Sequence, residues 1–324
     1  MLHRRCTGAE HAILQSNAEC GRVKNGTQVA STGAGMTAQT LDGRACAASV
    51  EQELAPRIET LRNAGVEPCL AVVIVGNDPA SHVYVAAKER ACDRLGIKSI
   101  RHSLSTDSTV EELTNLIDSL NSDESVHGIL VQSPLPDGFD ELAMADLISP
   151  AKDVDGFHPT NLGRLVQGRM DGLLPCTPAG VMHMLRWAEV PLKGRKVVVI
   201  GRSRIVGMPL SLMLAAKGAD ASVCIVHSRS QNIADICSQA DIVIPAVGVP
   251  GLVKSDWIKQ GAVVIDVGVN RVDDESRERG WSLAGDVDPG VAQTASMLSP
   301  VPGGVGPMTI AMLMSNTVRA AEAR

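Results

Sequence analysis

From Leu41 onward the chain alternates between two hydrophobic patterns. One is the short, continuous, β-branched run without alternation, which fits a strand buried on both faces. Such runs predict strands at residues 70–75, 127–132, 196–200, 221–226, 241–246 and 262–267, with a further short strand at 99–103. The other is the amphipathic spacing of a helix, predicted over residues 43–64, 79–95, 109–121, 138–147, 208–217 and 232–240, and from about Met308 to the end. Residues 152–178 read as a loop-rich segment between two strand–helix series. A helix of about four turns then starts at Thr177-Pro178, runs through Val190 and bridges two domains. Strand–helix alternation argues for parallel sheets with helices on both faces, hence an α/β fold of two αβα domains. In such sheets ligands bind beyond the carboxyl ends of the strands. Residues 1–35 are polar, rich in Gly, Ser and Thr, and without a sustained period. They read as a disordered extension or as residues ahead of a start at Met36, with a transit peptide as the third reading.

The junction after the first strong strand carries the most local signals. Gly76-Asn77 makes a turn, Asp78 is a good N-cap, Pro79 suits the first helical position, and Gly96 is a natural stop. At about 100° per residue, Tyr84, Lys88, Ala91, Cys92 and Leu95 share one stripe, with Glu89, Arg90, Asp93 and Arg94 opposite. Lys88 is the one charge on that stripe, and Tyr84, four residues earlier, is the only tyrosine of the chain. A lysine in apolar surroundings loses solvation of its charged form, so its pKa falls and it becomes a candidate acid or base near neutral pH. The competing reading is a lysine at the stripe's edge that snorkels its ammonium to water.

A second junction, Gly201-Arg-Ser-Arg-Ile-Val-Gly207, lies between a predicted strand and helix, where a pyrophosphate would meet a helix N-terminus. Ser203 stands in place of the usual middle glycine, so the motif is weak by itself and a plain strand–helix turn stays open. The following series of strands and helices is Rossmann-like. After its second strand, where NAD enzymes carry an acidic residue for the ribose 2′-hydroxyl, the chain has His227-Ser-Arg-Ser230. Arg202, Ser228 and Arg229 suit a 2′-phosphate, which favours NADP over NAD. The alternative is that Arg202, Arg204 and Arg229 are ordinary solvated charges.

Composition narrows the partners. A chain of 324 residues with a net charge of −6, a pI near 5.8 and only two phenylalanines, three tryptophans and one tyrosine offers neither a basic footprint nor stacking platforms for nucleic acid. The eight cysteines form no C-x-x-C pair and no Cys/His set with zinc spacing, which reads as a reduced, cytosolic protein without structural metal. No apolar run is long enough to span a membrane.

Six motifs stand in order along the chain: Asn77-Asp-Pro-Ala-Ser81 with Tyr84 and Lys88, Gly128-Ile-Leu-Val-Gln132 with Pro134-Leu-Pro136, Lys152-Asp-Val-Asp-Gly156, Pro175-Cys-Thr-Pro178, Gly201-Arg-Ser203, and Pro300-Val-Pro-Gly-Gly-Val-Gly-Pro307. Together they resemble the bifunctional methylenetetrahydrofolate dehydrogenase/methenyltetrahydrofolate cyclohydrolase family over about residues 40–322. The resemblance implies NADP-dependent oxidation of 5,10-methylene-tetrahydrofolate to the methenyl compound and its hydrolysis to 10-formyl-tetrahydrofolate, a reaction of one-carbon metabolism. It implies that Lys88 manages the proton of the hydrolysis, that Tyr84 stacks on the folate, and that Gln132 hydrogen-bonds near the lysine and helps set its protonation state, these three forming the catalytic group. Asp155 would grip the pterin's amino and ring N–H edge. Val131, Pro302, Gly303 and Gly306 would line the folate site beside them. Gly201, Arg202, Ser203, Ser228 and Val269 would hold the dinucleotide, Val269 at the nicotinamide end, joined by Arg229 from the charge reading above. The implied division is a folate-binding part of residues 36–176 plus 300–324 and an NADP-binding, Rossmann-like part of residues 177–299, with the folate cleft between them, in a homodimer. Ser133 departs from the apolar residue usual after the strand glutamine. Rival readings are a folate- or nucleotide-binding protein without turnover, a generic NADP dehydrogenase of small hydroxy or keto acids, and a dehydrogenase lacking the hydrolase. The first leaves Lys88 without a role, and the second leaves Tyr84 and Asp155 without one.

Overall fold

The computed structural model describes residues 37–324; the reading of residues 1–35 lies outside them. The described chain opens with β1 (Gln39–Thr40) and α1 (Gly43–Asn63), capped by Asp42, whose carboxylate accepts from the N–H groups of Arg44 and Ala45. Next come β2 (Cys69–Val75), α2 (Pro79–Leu95), β3 (Lys98–Leu104), α3 (Val110–Ser122) and β4 (Gly128–Val131). The predicted start signals operate as expected. Asp78 accepts from Ser81 N–H at 2.7 Å and Gly96 closes α2 with a left-handed φ of 66°. Thr109 and Glu112 form a reciprocal capping box at the head of α3. These strands make a three-stranded parallel sheet in the order β3-β2-β4.

The short helices α4 (Glu141–Asp146) and α5 (Pro159–Val166) precede α6 (Cys176–Trp187). Then β5 (Lys196–Ile200), α7 (Gly207–Ala215), β6 (Ser222–Val226), α8 (Ile233–Cys237), β7 (Ile242–Pro245) and β8 (Val263–Val264) follow in alternation. A hairpin of β9 (Asn270–Asp273) and β10 (Trp281–Ala284), the strand β11 (Met297–Leu298) and the long α9 (Val305–Glu322) complete the described chain. The second sheet is six-stranded and parallel throughout, in the order β1-β11-β8-β7-β5-β6.

Period-two alternation decides which core each strand residue joins. In β2, Leu70, Val72 and Ile74 point to a core shared with the second sheet, while Ala71, Val73 and Val75 face α3 and α4. In β5, Val197 and Val199 point to the shared core and Val198 and Ile200 to the far side. That shared core is filled by α1, α6 and α9, with Leu54, Ile58, Met184, Leu185, Met308 and Leu313 fully buried in it. The final helix thus packs back on the first sheet's helices, as expected.

The structure shortens several predicted elements. The bridging helix ends at Trp187 rather than Val190, the helix predicted over 138–147 is confined to Glu141–Asp146, and that over 232–240 to Ile233–Cys237. The 152–178 segment contains α5, whose start is a His158-Pro159 cap rather than a hydrophobic period. β8 is short, though Ile265 and Val267 still donate to the carbonyls of Val243 and Pro245. The β9–β10 hairpin and the two-residue strands β1 and β11 carry too few apolar residues to announce themselves. The hairpin is held by Arg271 and Arg279 stacked on Trp281, 4.7 and 4.1 Å from the ring centre.

Candidate active site

In each parallel sheet one inner strand has neighbours reached by connections running in opposite directions: β2 between β3 and β4, and β5 between β6 and β7. A crevice opens at the carboxyl end of such a strand. The turn after β2 is Gly76–Asp78 leading to α2, and the turn after β5 is Gly201–Gly207 leading to α7. The two motif-bearing junctions are therefore the two switch points. A cavity of about 410 Å³ joins them, walled by Lys88, Val131, Gln132 and Asp155 from one side and by Ser203, Arg204 and Ile205 from the other.

Lys88 reaches this cavity from the buried row of α2. The fully covered side chains of that helix are Ser81, Val85, Ala91 and Cys92, and Lys88 lies in line with them, three residues after Val85. Tyr84 is not part of that face. It is 53% exposed and does not wall the cavity, because the helix is turned toward Val85 rather than toward the centre of the expected stripe. The Lys88 ammonium nitrogen donates to Oε1 of Gln132 at 2.9 Å. The amide of Gln132 is oriented by its other end, where Nε2 donates to the carbonyl of Ser133. Ser133, the departure noted in the sequence, thus serves this pair through its main chain. Burial pulls the Lys88 pKa down from its ordinary value, and the nearby Asp155 carboxylate opposes that pull. Asp155 is pushed up to about 6, first by burial and also by Asp153, while Lys88 works to lower it.

The motif around Asp155 divides into supports and a working group. Lys152 is buried and donates to the carbonyls of Leu120 and Asp123, both at 2.7 Å. Asp153 is buried and accepts from the N–H groups of Gly156, Phe157 and His158 and from Nδ2 of Asn161. The Asp155 carboxylate, by contrast, has no hydrogen-bond partner among the described residues, and the residue faces the cavity. Cys176, whose thiol donates to the Val154 carbonyl at 3.2 Å, packs behind it.

Arg202, Ser228 and Arg229 sit on the adjacent turns after β5 and β6, exposed, and their side chains make no hydrogen bond or ion pair among the described residues. The turn itself is built for close approach. Gly201 has φ 120°, and a Cβ there would stand 2.4 Å from the Ala246 carbonyl. A Cβ on Gly207 would stand 2.2 Å from the carbonyl of Gly201. Ser203 accepts the N–H of Val206 at 3.2 Å and of Gly207 at 3.4 Å, which explains a serine where a middle glycine is usual. Val269 is exposed at the end of the neighbouring β8 segment. Pro302 and Gly303 lie on the loop between β11 and α9, where Gly303 has φ 109°, and Gly306 lies in the first turn of α9; none of the three walls the cavity.

Further cavity residues carry no site role in the sequence, among them Glu141, Phe157 and Arg204. Glu141 accepts from Leu135 N–H at 2.9 Å and pins the Ser133–Pro136 loop. Phe157 and Arg204 wall the cavity from its two sides. Phe157 lies outside any periodic pattern; Glu141, inside the helix predicted over 138–147, and Arg204, inside the glycine turn, are legible as positions but not as directions.

The sequence matches two family models: the catalytic domain of tetrahydrofolate dehydrogenase/cyclohydrolase over residues 41–155, and the NAD(P)-binding domain of the same enzymes over residues 175–324. The chain belongs to the tetrahydrofolate dehydrogenase/cyclohydrolase family. Within that family it is 50% identical over 285 residues to the bifunctional protein FolD of Campylobacter curvus, covering 88% of this chain and 96% of that one. It is 53% identical over 288 residues to bifunctional protein FolD 2 of Ectopseudomonas mendocina, covering 89% and 93%. Among solved structures, the bifunctional FolD enzyme of Campylobacter jejuni superposes with a TM-score of 0.84 at 46% identity, covering 88% of this chain and 99% of that one. The Trypanosoma brucei enzyme, complexed with NADP cofactor and inhibitor, superposes with a TM-score of 0.83 at 40% identity, covering 89% and 98%.

Proposed function

We propose that this member of the family carries out both reactions in one cleft: oxidation of 5,10-methylene-tetrahydrofolate with NADP, then hydrolysis of the methenyl product to 10-formyl-tetrahydrofolate. The carrying observation is the Lys88–Gln132 hydrogen bond, 2.9 Å long, inside a cavity shared by Asp155 and the glycine turn of the second sheet. The dinucleotide fits the residues present: a glycine cradle that a Cβ would fill, a helix N-terminus behind it, and guanidiniums at Arg202 and Arg229 with Ser228 for a 2′-phosphate. NADP, when bound, supplies the hydride acceptor.

The side chains then divide the work. Asp155, ionised above its pKa of about 6, accepts two N–H groups of the pterin and fixes the ring. Tyr84, exposed on α2 one turn before Lys88, offers its face to the part of the folate outside the cavity. Val131 walls the cavity, and Pro302, Gly303 and Gly306 border the folate outside it. In hydrolysis, Lys88 in its neutral form accepts the proton of the water that attacks the methenyl carbon; Gln132 holds the amine in place through its carbonyl oxygen. Val269 borders the nicotinamide end. Residues 36–176 with 300–324 form the folate-binding part and 177–299 the dinucleotide part, a division supported by the two sheets. β1, at residues 39–40, crosses it by pairing with β11. The cysteines among the described residues are free and mostly buried, which supports a reducing, cytosolic setting. The homodimer implied by the family resemblance is checked by light scattering.

The test is a spectrophotometric assay with methylene-tetrahydrofolate and either nucleotide, run on wild type and Lys88→Met. The variant is expected to lose hydrolysis of the methenyl compound by about a hundred-fold or more while dehydrogenation stays measurable. Equal loss of both activities in a folded variant would remove Lys88 from this role.

A further inference from the structure

Two aspartates beside the second sheet are buried with no cationic partner among the described residues: Asp266, after β8, is 3% exposed, and Asp286, after β10, is 0% exposed. Both carboxylates are satisfied mainly by main-chain N–H groups. Asp286 Oδ2 accepts from Val247 at 2.7 Å and Gly248 at 3.0 Å, and its Oδ1 accepts from Val249 at 2.9 Å and from Nδ2 of Asn270 at 3.0 Å. Asp266 Oδ1 accepts from the N–H groups of Gly268 and Asp286, each at 3.0 Å, and its Oδ2 from Val287 at 2.9 Å. The two form a relay: Asp266 fixes the backbone of Asp286, and Asp286 ties the turn after β7 to the turn after β8. The packing is close enough to demand glycine. A Cβ on Gly268 would stand 2.1 Å from Asp286 Oδ1, and one on Gly285 would stand 1.9 Å from Asp266 Oδ2.

These are the turns that present the exposed side chains of Val249 and Val269 beside the glycine turn after β5. Burying two carboxylates is a costly way to close two loops if closure were the only requirement, since apolar contacts would do it at lower desolvation cost. What several N–H groups converging on one carboxylate add is a fixed backbone path. We propose that Asp286, itself set by Asp266, is a positioning residue for the nicotinamide end of the dinucleotide, fixing the turns that carry Val249 and Val269. This rests on the reading that Val269 borders the nicotinamide. The residue acts through these turns and touches neither dinucleotide nor folate.

Asp286→Asn preserves size but sets an amide N–H against a main-chain N–H. The bifunctional enzyme supplies its own control, because hydrolysis of added methenyl-tetrahydrofolate needs no dinucleotide. In Asp286→Asn, the KM for NADP is expected to rise about ten-fold, with hydrolysis within about two-fold of wild type. Asn270→Ala removes one donor and no buried charge, and is expected to raise the same KM by about two- to five-fold. An unchanged NADP KM in folded Asp286→Asn, or a parallel fall of both activities, overturns the proposal. If Asp286→Asn does not fold, an unchanged NADP KM in Asn270→Ala overturns it instead. Val269→Asp separates the two readings: should it leave NADP binding unaffected by calorimetry, the placement of the nicotinamide end fails rather than the relay.

Discussion

At the scale of single residues, Lys88 and Asp155 push each other toward their charged forms while burial pushes both toward neutrality. For Asp155 burial prevails, to a value of about 6, and this has two consequences. The first is functional. Below about pH 6 the carboxyl is protonated and loses its paired-acceptor role, so the KM for folate in the hydrolysis assay rises as pH falls, and Asp155→Asn abolishes that limb along with most folate affinity. The second concerns stability. A carboxyl whose folded pKa lies above its unfolded value favours the native state fully below the unfolded value, and this contribution is lost as pH rises through about 6. Asp155→Asn is therefore expected to stabilise the free enzyme at pH 7.5 by roughly 1–2 kcal/mol, with the gain disappearing near pH 4. Urea unfolding at the two pH values measures it; a variant less stable than wild type at pH 7.5 contradicts the account.

At the scale of elements, the strand–turn–helix unit is the working part. After β5 the turn is compressed by the Ala246 carbonyl, and Ser203 caps the incoming helix, leaving Arg202 outside the cap network. Arg202 is thus free for a ligand at little cost to the fold. Arg202→Ala is expected to raise the KM for NADP about ten-fold or more and that for NAD far less, with unchanged thermal stability. An unaltered NADP/NAD ratio removes Arg202 from the 2′-phosphate site. Such a unit is readable in the sequence because its signals are local: Asp78, Pro79 and Gly96 each act within one turn. The orientation of α2 was not readable. A helical wheel finds an apolar stripe but not which neighbour it meets, so it sets Tyr84 in the buried row, where the structure has Val85.

At the scale of the whole molecule, α9 ties the segment that carries Asp155 to the start of α6. Its buried Asn316 donates to the carbonyls of Val154 and Leu174, both at 2.8 Å, and Val154 precedes Asp155. Asn316→Ala takes this donor from the Leu174 carbonyl and leaves the Val154 carbonyl only the Cys176 thiol, so it is expected to cost roughly 2 kcal/mol of stability. Because it loosens the segment that carries Asp155, it also raises the KM for folate in both reactions while leaving that for NADP nearly unchanged. Differential scanning calorimetry and the coupled assay test the two halves; intact folate kinetics would show that α9 only supports the fold.

The sequence by itself determined the α/β class, the two series of buried parallel strands, the helix starts and the residue types at both switch points. These follow from short-range rules of periodicity, capping and turn geometry, which need no knowledge of distant neighbours. Tertiary structure alone decided which of those residues meet. It set Lys88 against Gln132 across 44 positions of chain. It left Asp155 facing the cavity while Lys152 and Asp153 of the same motif became buried supports, and it brought Ser203 to Ile205 into the wall that Lys88 and Asp155 share. Burial and long-range pairing are properties of the packed chain, and the shifts of Lys88 and Asp155 exist only where packing removes water from both.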